Sequence, residues 1–262
     1  MKQAETVFMK RVIFLFIYVL CASISSYSQE IEGVATYSIR LAEDNLPFNA
    51  ELRFTPSASL FFWKQGNTSR FLKKENFKSQ IVDTDTLGYY IKRRTDSKKI
   101  RIRQFCGENN PVFYDDDVIH DWSLSNKEKK NISGKVCSKA TTRFRGRDYV
   151  VWYTTEIPVQ MGPWKFYGLP GLIMQVEDAK KEIFISLKSL NLVDGFNSSK
   201  YDEDIGKYLS KRELIDCLDD EWDKHYKKNR AIIAQLQSEF PELEISDNNL
   251  SKKRPATELE FD

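Results

Sequence analysis

Three links of only three or four residues do most to limit what this chain can fold into. Thr95-Asp96-Ser97-Lys98, Gly146-Arg147-Asp148 and Asp178-Ala179-Lys180-Lys181 each join two segments rich in β-branched and aromatic residues. A parallel strand pair needs a crossover of about a dozen residues or more, so links this short permit antiparallel neighbours and exclude helical crossovers. The strand-like segments run over Val34–Leu41, Phe48–Phe54, Leu60–Lys64, Ser79–Asp83, Leu87–Arg94, Lys99–Phe105, Val136–Arg145, Tyr149–Thr154, Leu172–Glu177 and Glu182–Leu192. The expected fold is mainly β, a long antiparallel meander. A twisted sheet of that size curls rather than leave long exposed edges, into a curved half-barrel or a closed barrel. Such a sheet holds an apolar ligand in its concave face or fills that face with side chains.

The pattern changes at Ser210. Ser210-Lys211-Arg212-Glu213 has the spacing of a capping box. Behind it Leu214, Leu218, Trp222, Tyr226, Ile233, Leu236 and Phe240 recur along one helical face before Pro241. This predicts an amphipathic helix over about residues 210–240, packed by its apolar stripe on the sheet, then a polar tail over 242–262.

Lys10 and Arg11 precede an apolar run from Val12 to Ile24, and Ser26-Tyr27-Ser28 follows with small residues at the cleavage positions. Residues 1–28 are therefore read as an export signal, leaving one β-rich domain over 29–241 and no membrane span in the mature chain. The full chain has 40 Lys and Arg against 38 Asp and Glu. Residues 1–28 hold three of the basic and one of the acidic residues, so 37 of each remain. A balanced chain argues against a general binder of nucleic acid. Export favours a disulfide, and Cys106 and Cys137, both on strand-like segments, are the first choice, with Cys217 left over on the helix.

The densest run of unusual residues lies between Ile132 and Val176. It holds Cys137 with Lys139-Ala140, Phe144-Arg145-Gly146-Arg147, Trp152-Tyr153, Ile157-Pro158, Gly162-Pro163 and Gly168-Leu169-Pro170-Gly171-Leu172-Ile173. In this order the pieces resemble the signature of the GLPGLI family of exported bacterial proteins, a family of unknown biochemical function. The resemblance implies an exported Bacteroidetes-type protein, periplasmic or associated with the outer membrane. It implies association with a TonB-dependent receptor and supplies no catalytic residue.

Read by themselves, Gly162, Pro163, Gly168, Pro170 and Gly171 make a stiff loop between two strands, with Pro170-Gly171 at the centre of a type II turn. The loop either serves the fold alone or presents Trp164 and Lys165 to a ligand. The hairpin before it carries Arg143, Arg145 and Arg147 beside Trp152 and Tyr153. Arginine beside aromatics suits carboxylate recognition and cation–π stacking, against the plainer reading of solvated side chains paired with Asp148 and Glu156.

Asp115-Asp116-Asp117 with His120-Asp121 brings metal-ligating residue types together, but the spacing fits no calcium loop, and a solvated acidic loop is expected. The basic hairpin from Lys92 to Arg103 reads as a charged sheet edge protected against mispairing, or as a docking patch. No cofactor and no metal is called for. Three functions follow: a non-catalytic envelope accessory or binding protein, a periplasmic carrier of a small apolar ligand, and a hydrolase resting on His120 or His225.

Overall fold

The computed structural model describes residues 31–41, 47–63, 87–107, 110–192, 204 and 206–242. The described residues form eleven strands of six to ten residues: β1 (Gly33–Leu41), β2 (Phe48–Phe54), β3 (Ala58–Trp63), β4 (Tyr89–Arg94), β5 (Lys99–Phe105), β6 (Pro111–Asp117), β7 (Ser123–Ile132), β8 (Lys135–Phe144), β9 (Arg147–Thr154), β10 (Leu172–Asp178) and β11 (Ile183–Leu192). A two-residue β12 (Lys207–Tyr208) and one helix, α1 (Lys211–Glu239), complete the described elements. All strands form one open sheet in the order β12-β6-β5-β4-β3-β2-β1-β11-β10-β9-β8-β7. Every pairing is antiparallel except the parallel addition of β12 to β6.

The order amounts to two meanders. The chain runs from β1 outward to β6, crosses to the far edge at β7, and returns strand by strand until β11 pairs with β1. That crossing forces curvature. Strands β6 and β7 lie ten interstrand spacings apart, about 48 Å in a flat sheet. Yet only Val118–Trp122 separates them in sequence, a strap that spans roughly 22 Å at full extension. The sheet therefore curls into a half-barrel with the strap across its open side.

The concave face is packed with Ala35, Tyr37, Leu52, Phe54, Ile91, Ile102, Tyr114, Val151 and Val176. Into it folds the segment 155–171 between β9 and β10, whose Ile157, Val159, Met161, Phe166 and Leu169 are all buried. Leu172 N–H donates to Ile157 O at 2.9 Å and Ile173 N–H to Met161 O at 3.0 Å, so the segment is tied to β10 along its length. Tyr37 Oη donates to Ile173 O at 2.6 Å from β1, two strands away from β10 in the sheet. The expected stiff loop is thus an inward plug. Its turn chemistry differs from the expectation: Gly168 carries the positive φ, at +89°. Gly171 is needed because a Cβ there would overlap the Thr154 carbonyl.

The sequence reading missed β6 and β7. The acidic run expected to be a solvated loop lies on β6, where alternation sends Asp115 and Asp117 outward and Asp116 inward. Aspartate is a poor strand former, and pairing with the lysines and arginines of β5 overrides that preference. Arg101 Nε donates to Asp115 at 2.9 Å, and Lys99 lies 3.9 Å from Asp117. The basic hairpin is accordingly neither an edge nor a free docking patch. It sits inside the sheet, and its outward cations face carboxylates of β6 and Asp204. The expected strand at Ser79–Asp83 lies outside the described residues.

Helix α1 begins with the expected capping box. Ser210 N–H donates to Glu213 Oε2 at 2.8 Å, and Glu213 N–H donates to Ser210 Oγ at 3.3 Å. Among the described residues its first two turns are seated on the sheet, through buried Leu214, partly buried Leu218 and a disulfide from Cys217 to Cys106, and Glu221 of the third turn lies against Gly107. Farther along, Trp222, Tyr226, Ile233 and Leu236 are only partly buried and Phe240 is exposed, so the apolar stripe is not packed over its full length. The disulfide also corrects the expected pairing. Cys137 points into the core of β8 and stays a free thiol, while Cys106, at the end of β5, meets the helix with a Cα–Cα separation of 6.2 Å.

Candidate functional site

The most chemically loaded place in the described structure is where the strap, the plug and the β8–β9 turn meet on the concave side. Asp116 is at its centre, buried at the end of β6. Lys165, fully buried in the plug, donates from Nζ to Asp116 Oδ2 at 3.0 Å, and Arg145 donates to the same oxygen at 2.5 Å. Lys211 at the start of α1 lies 3.9 Å from Oδ1. Burial pushes the Asp116 carboxyl up, but the charges and hydrogen bonds of Lys165 and Arg145 outweigh it and hold the group below its ordinary range. One carboxylate thus joins four distant segments.

Local backbone geometry explains how Arg145 arrives there. Arg145 and Gly146 both have positive φ, +48° and +77°, as a tight hairpin turn requires. The turn therefore falls at Arg145-Gly146, and Arg147 already belongs to β9. Arg145 leaves the strand alternation that would have kept it beside Arg143. The neighbouring plug residue Trp164, also at positive φ, packs its ring against Phe144 and Phe166 while Lys165 turns inward.

Beside this cluster the strap places His120 among four rings, with centroids 4.8 Å from Phe144, 4.9 Å from Trp122, 5.3 Å from Phe166 and 5.7 Å from Tyr167. Nε2 lies 2.9 Å from Lys165 O, which can only accept, so Nε2 carries the proton. Nδ1 is buried and meets no hydrogen-bond partner among the described residues. Burial lowers the imidazole pKa to about 4, only partly offset by the bond to Lys165 O. Trp122 Nε1–H donates to Tyr167 O at 3.0 Å and Tyr167 Oη–H to Val118 O at 2.6 Å, sewing strap to plug.

The residues singled out from sequence do not form one patch. Arg145 and Lys165 belong to the buried cluster. Arg143 is exposed and meets Asp148 at 3.3 Å, while Arg147 pairs with Asp178 at 3.2 Å and Glu182 at 2.5 Å. Tyr153 is buried; Trp152 faces outward on the same side as Arg143, with Lys130 Nζ 5.6 Å from its ring centroid. His225 lies exposed on α1, in a shallow recess with Glu221, Lys224 and Lys228. Among the described residues no group of three or more His, Cys, Asp or Glu side chains is placed to hold a metal ion. No described helix is long and apolar enough to cross a membrane.

Asp116, His120, Trp122 and Tyr167 escaped notice as a group. The available signal was Val112-Phe113-Tyr114 directly ahead of the aspartates, a strand beginning that makes Tyr114, Asp116 and Val118 share a face.

With this geometry in place, the likenesses to known proteins can be set on it. A family model described as "Protein of unknown function (Porph_ging)" matches residues 145–175. The matched stretch is the β8–β9 turn, β9, the plug and the start of β10, which is the segment that fills the concave face. No curated protein matches the chain. Two crystal structures of PNGF-II, in space groups C2 and P21, share the fold with TM-scores of 0.53 at 16% identity. Each likeness covers 72% of this chain and 32% or 33% of the PNGF-II chain, so this chain spans about a third of their length.

Proposed function

We propose that this chain is an exported cell-envelope accessory protein that binds a partner without catalysing a reaction. Its export and its link to an outer-membrane TonB-dependent uptake system follow the resemblance of its motif to the GLPGLI family. The observation that carries the reading is the plug. Ile157, Val159, Met161, Phe166 and Leu169 of 145–175 turn inward and pack the concave face, which leaves recognition to outward side chains such as Trp152 of the same stretch. Trp152, Arg143 and Lys139 share the outer face of β8–β9, Trp152 standing opposite Lys139 in register. His120 supports the same reading, since one ring nitrogen is bonded to a backbone carbonyl and the other meets no hydrogen-bond partner among the described residues. A carrier of an apolar ligand comes second, because Phe166, Met161 and Leu169 would have to leave the concave face to make room.

The test is cross-linked recovery of a tagged full-length chain from native envelopes. Enrichment of a TonB-dependent receptor with the native protein and its loss with Trp152→Ala is the expected result. Recovery of the protein alone, together with apolar molecules in an organic extract, would replace this reading by the carrier.

A further inference from the structure

Arg93 is a cation on the inner face of the sheet that has no counterion among the described residues. The register Lys92↔Arg101 on β4 and β5 sets Arg93 beside Ile100, which in turn pairs with Asp116 on β6. Arg93 therefore stands in the same inward row as Asp116, and Asp116 is already shared by Lys165 and Arg145. The guanidinium carbon of Arg93 lies 4.0 Å from the ring centroid of Tyr167. One terminal nitrogen donates to Met161 Sδ at 3.2 Å, a weak acceptor, and the buried Nε finds no acceptor among the described residues. No described carboxylate lies within ion-pair distance of it. Tyr167 also hydrogen-bonds the guanidinium, yet a planar fork of five donors that meets only a thioether and a phenol oxygen still lacks its natural partner, an oxyanion held by two parallel hydrogen bonds. The residue is only partly buried and its Nε is enclosed, which leaves the terminal nitrogens to meet a small anion. Tyr167 backs the fork and is itself fixed, its hydroxyl bonded to the strap at Val118 O.

We propose that Arg93, backed by Tyr167 and Met161, is a binding site for a single compact oxyanion, a phosphate or carboxylate group, entering the half-barrel beside the strap. The group arrives either as a free anion or as the head of an amphiphile. This assignment stands apart from the accessory reading, since it uses an inward residue and no part of the outer face of β8–β9.

Inorganic phosphate is the first probe, added to the full-length protein at pH 7 with sodium chloride at matched ionic strength as the control. The thermal midpoint of the native protein is expected to rise saturably with phosphate and not with chloride. Arg93→Met is expected to lose that response and, in phosphate-free buffer, to melt no lower than the native protein, because it removes a partly buried charge that has no counterion among the described residues. Dodecyl phosphate assigns the source: saturation at lower concentration than inorganic phosphate identifies a head group, and equal concentration a free anion. Should Arg93→Met fail to fold, calorimetric titration of Arg93→Lys decides. Phosphate binding weaker by on the order of tenfold supports the site, since lysine keeps the charge and loses the fork. A native protein indifferent to phosphate, or a variant that responds equally, overturns the proposal.

Discussion

At the scale of single residues, the buried Asp116 carboxylate and the largely enclosed His120 imidazole lie side by side, and both make the molecule sensitive to acid. His120 has a native pKa of about 4 against an ordinary 6.5. Below pH 6.5 the unfolded chain binds a proton that the native state refuses, so stability falls as pH drops from 6.5 to 4 and then levels off. A shift of that size corresponds to roughly 3 kcal/mol across the window. Asp116 is shifted in the same direction for the opposite reason: its anion is favoured in the fold, and that contribution is lost as pH falls below the ordinary aspartate value of 3.8. Urea unfolding at a series of pH values should show the native protein weakening steadily from pH 6.5 to 4. His120→Phe should be weaker at pH 7 by about 1 kcal/mol for the lost bond to Lys165 O, yet nearly flat over that interval. An equal slope in both proteins would mean that His120 is not the group titrating.

Among the elements, the predicted strands and the capped helix were legible because each follows a local rule. Alternation placed Tyr149, Val151 and Tyr153 together on the inner face of β9, and Ser210 with Glu213 announced the start of α1. What stayed hidden was set by partners far away in sequence. Asp115 and Asp117 sit on a strand because Arg101 and Lys99 face them. Arg145 leaves its strand face because Asp116 awaits it across the open side of the sheet. The disulfide belongs to the same class, since Cys106 and Cys217 are 111 residues apart and neither has a spacing motif. It has an element-scale consequence. Beyond Leu218 the helix has little purchase on the sheet, so the disulfide and Leu214 hold its seated end. Cutting the bond by Cys217→Ala should raise backbone hydrogen exchange along Lys211–Glu239 while β8, β9 and β10 keep their protection. On the chain-entropy account a loop of that length is worth about 4–5 kcal/mol, so the global stability should drop as well. Unchanged exchange in the helix would mean that Leu214 alone seats it.

At the scale of the whole molecule, the described sheet has been bent until one short strap joins β6, next to one end of the sheet, to β7 at the other, and either the strap or the plug must hold the bend. The contacts favour the plug. Phe166, Met161 and Leu169 fill the concave face, Tyr37 on β1 reaches past β11 to Ile173 O, and Lys165 and Arg145 draw the plug and the β8–β9 turn onto Asp116. The strap adds His120, Trp122 and the Val118 carbonyl to that packing, while Ile119 between them is 83% exposed. A flexible insertion directly after Ile119 lengthens the strap without removing any of these groups. Each doubling of a flexible loop costs only about 0.6 kcal/mol in closure entropy. If the plug sets the curvature, an insertion of about ten Gly and Ser residues should lower stability by roughly 1 kcal/mol, keep a single cooperative unfolding transition, and leave the near-ultraviolet signal of Trp122 and Trp164 unchanged. If the strap sets it, the same insertion should let the two edges part, exposing the concave face to a hydrophobic dye and splitting the transition into separate steps for the β1–β6 and β7–β11 meanders.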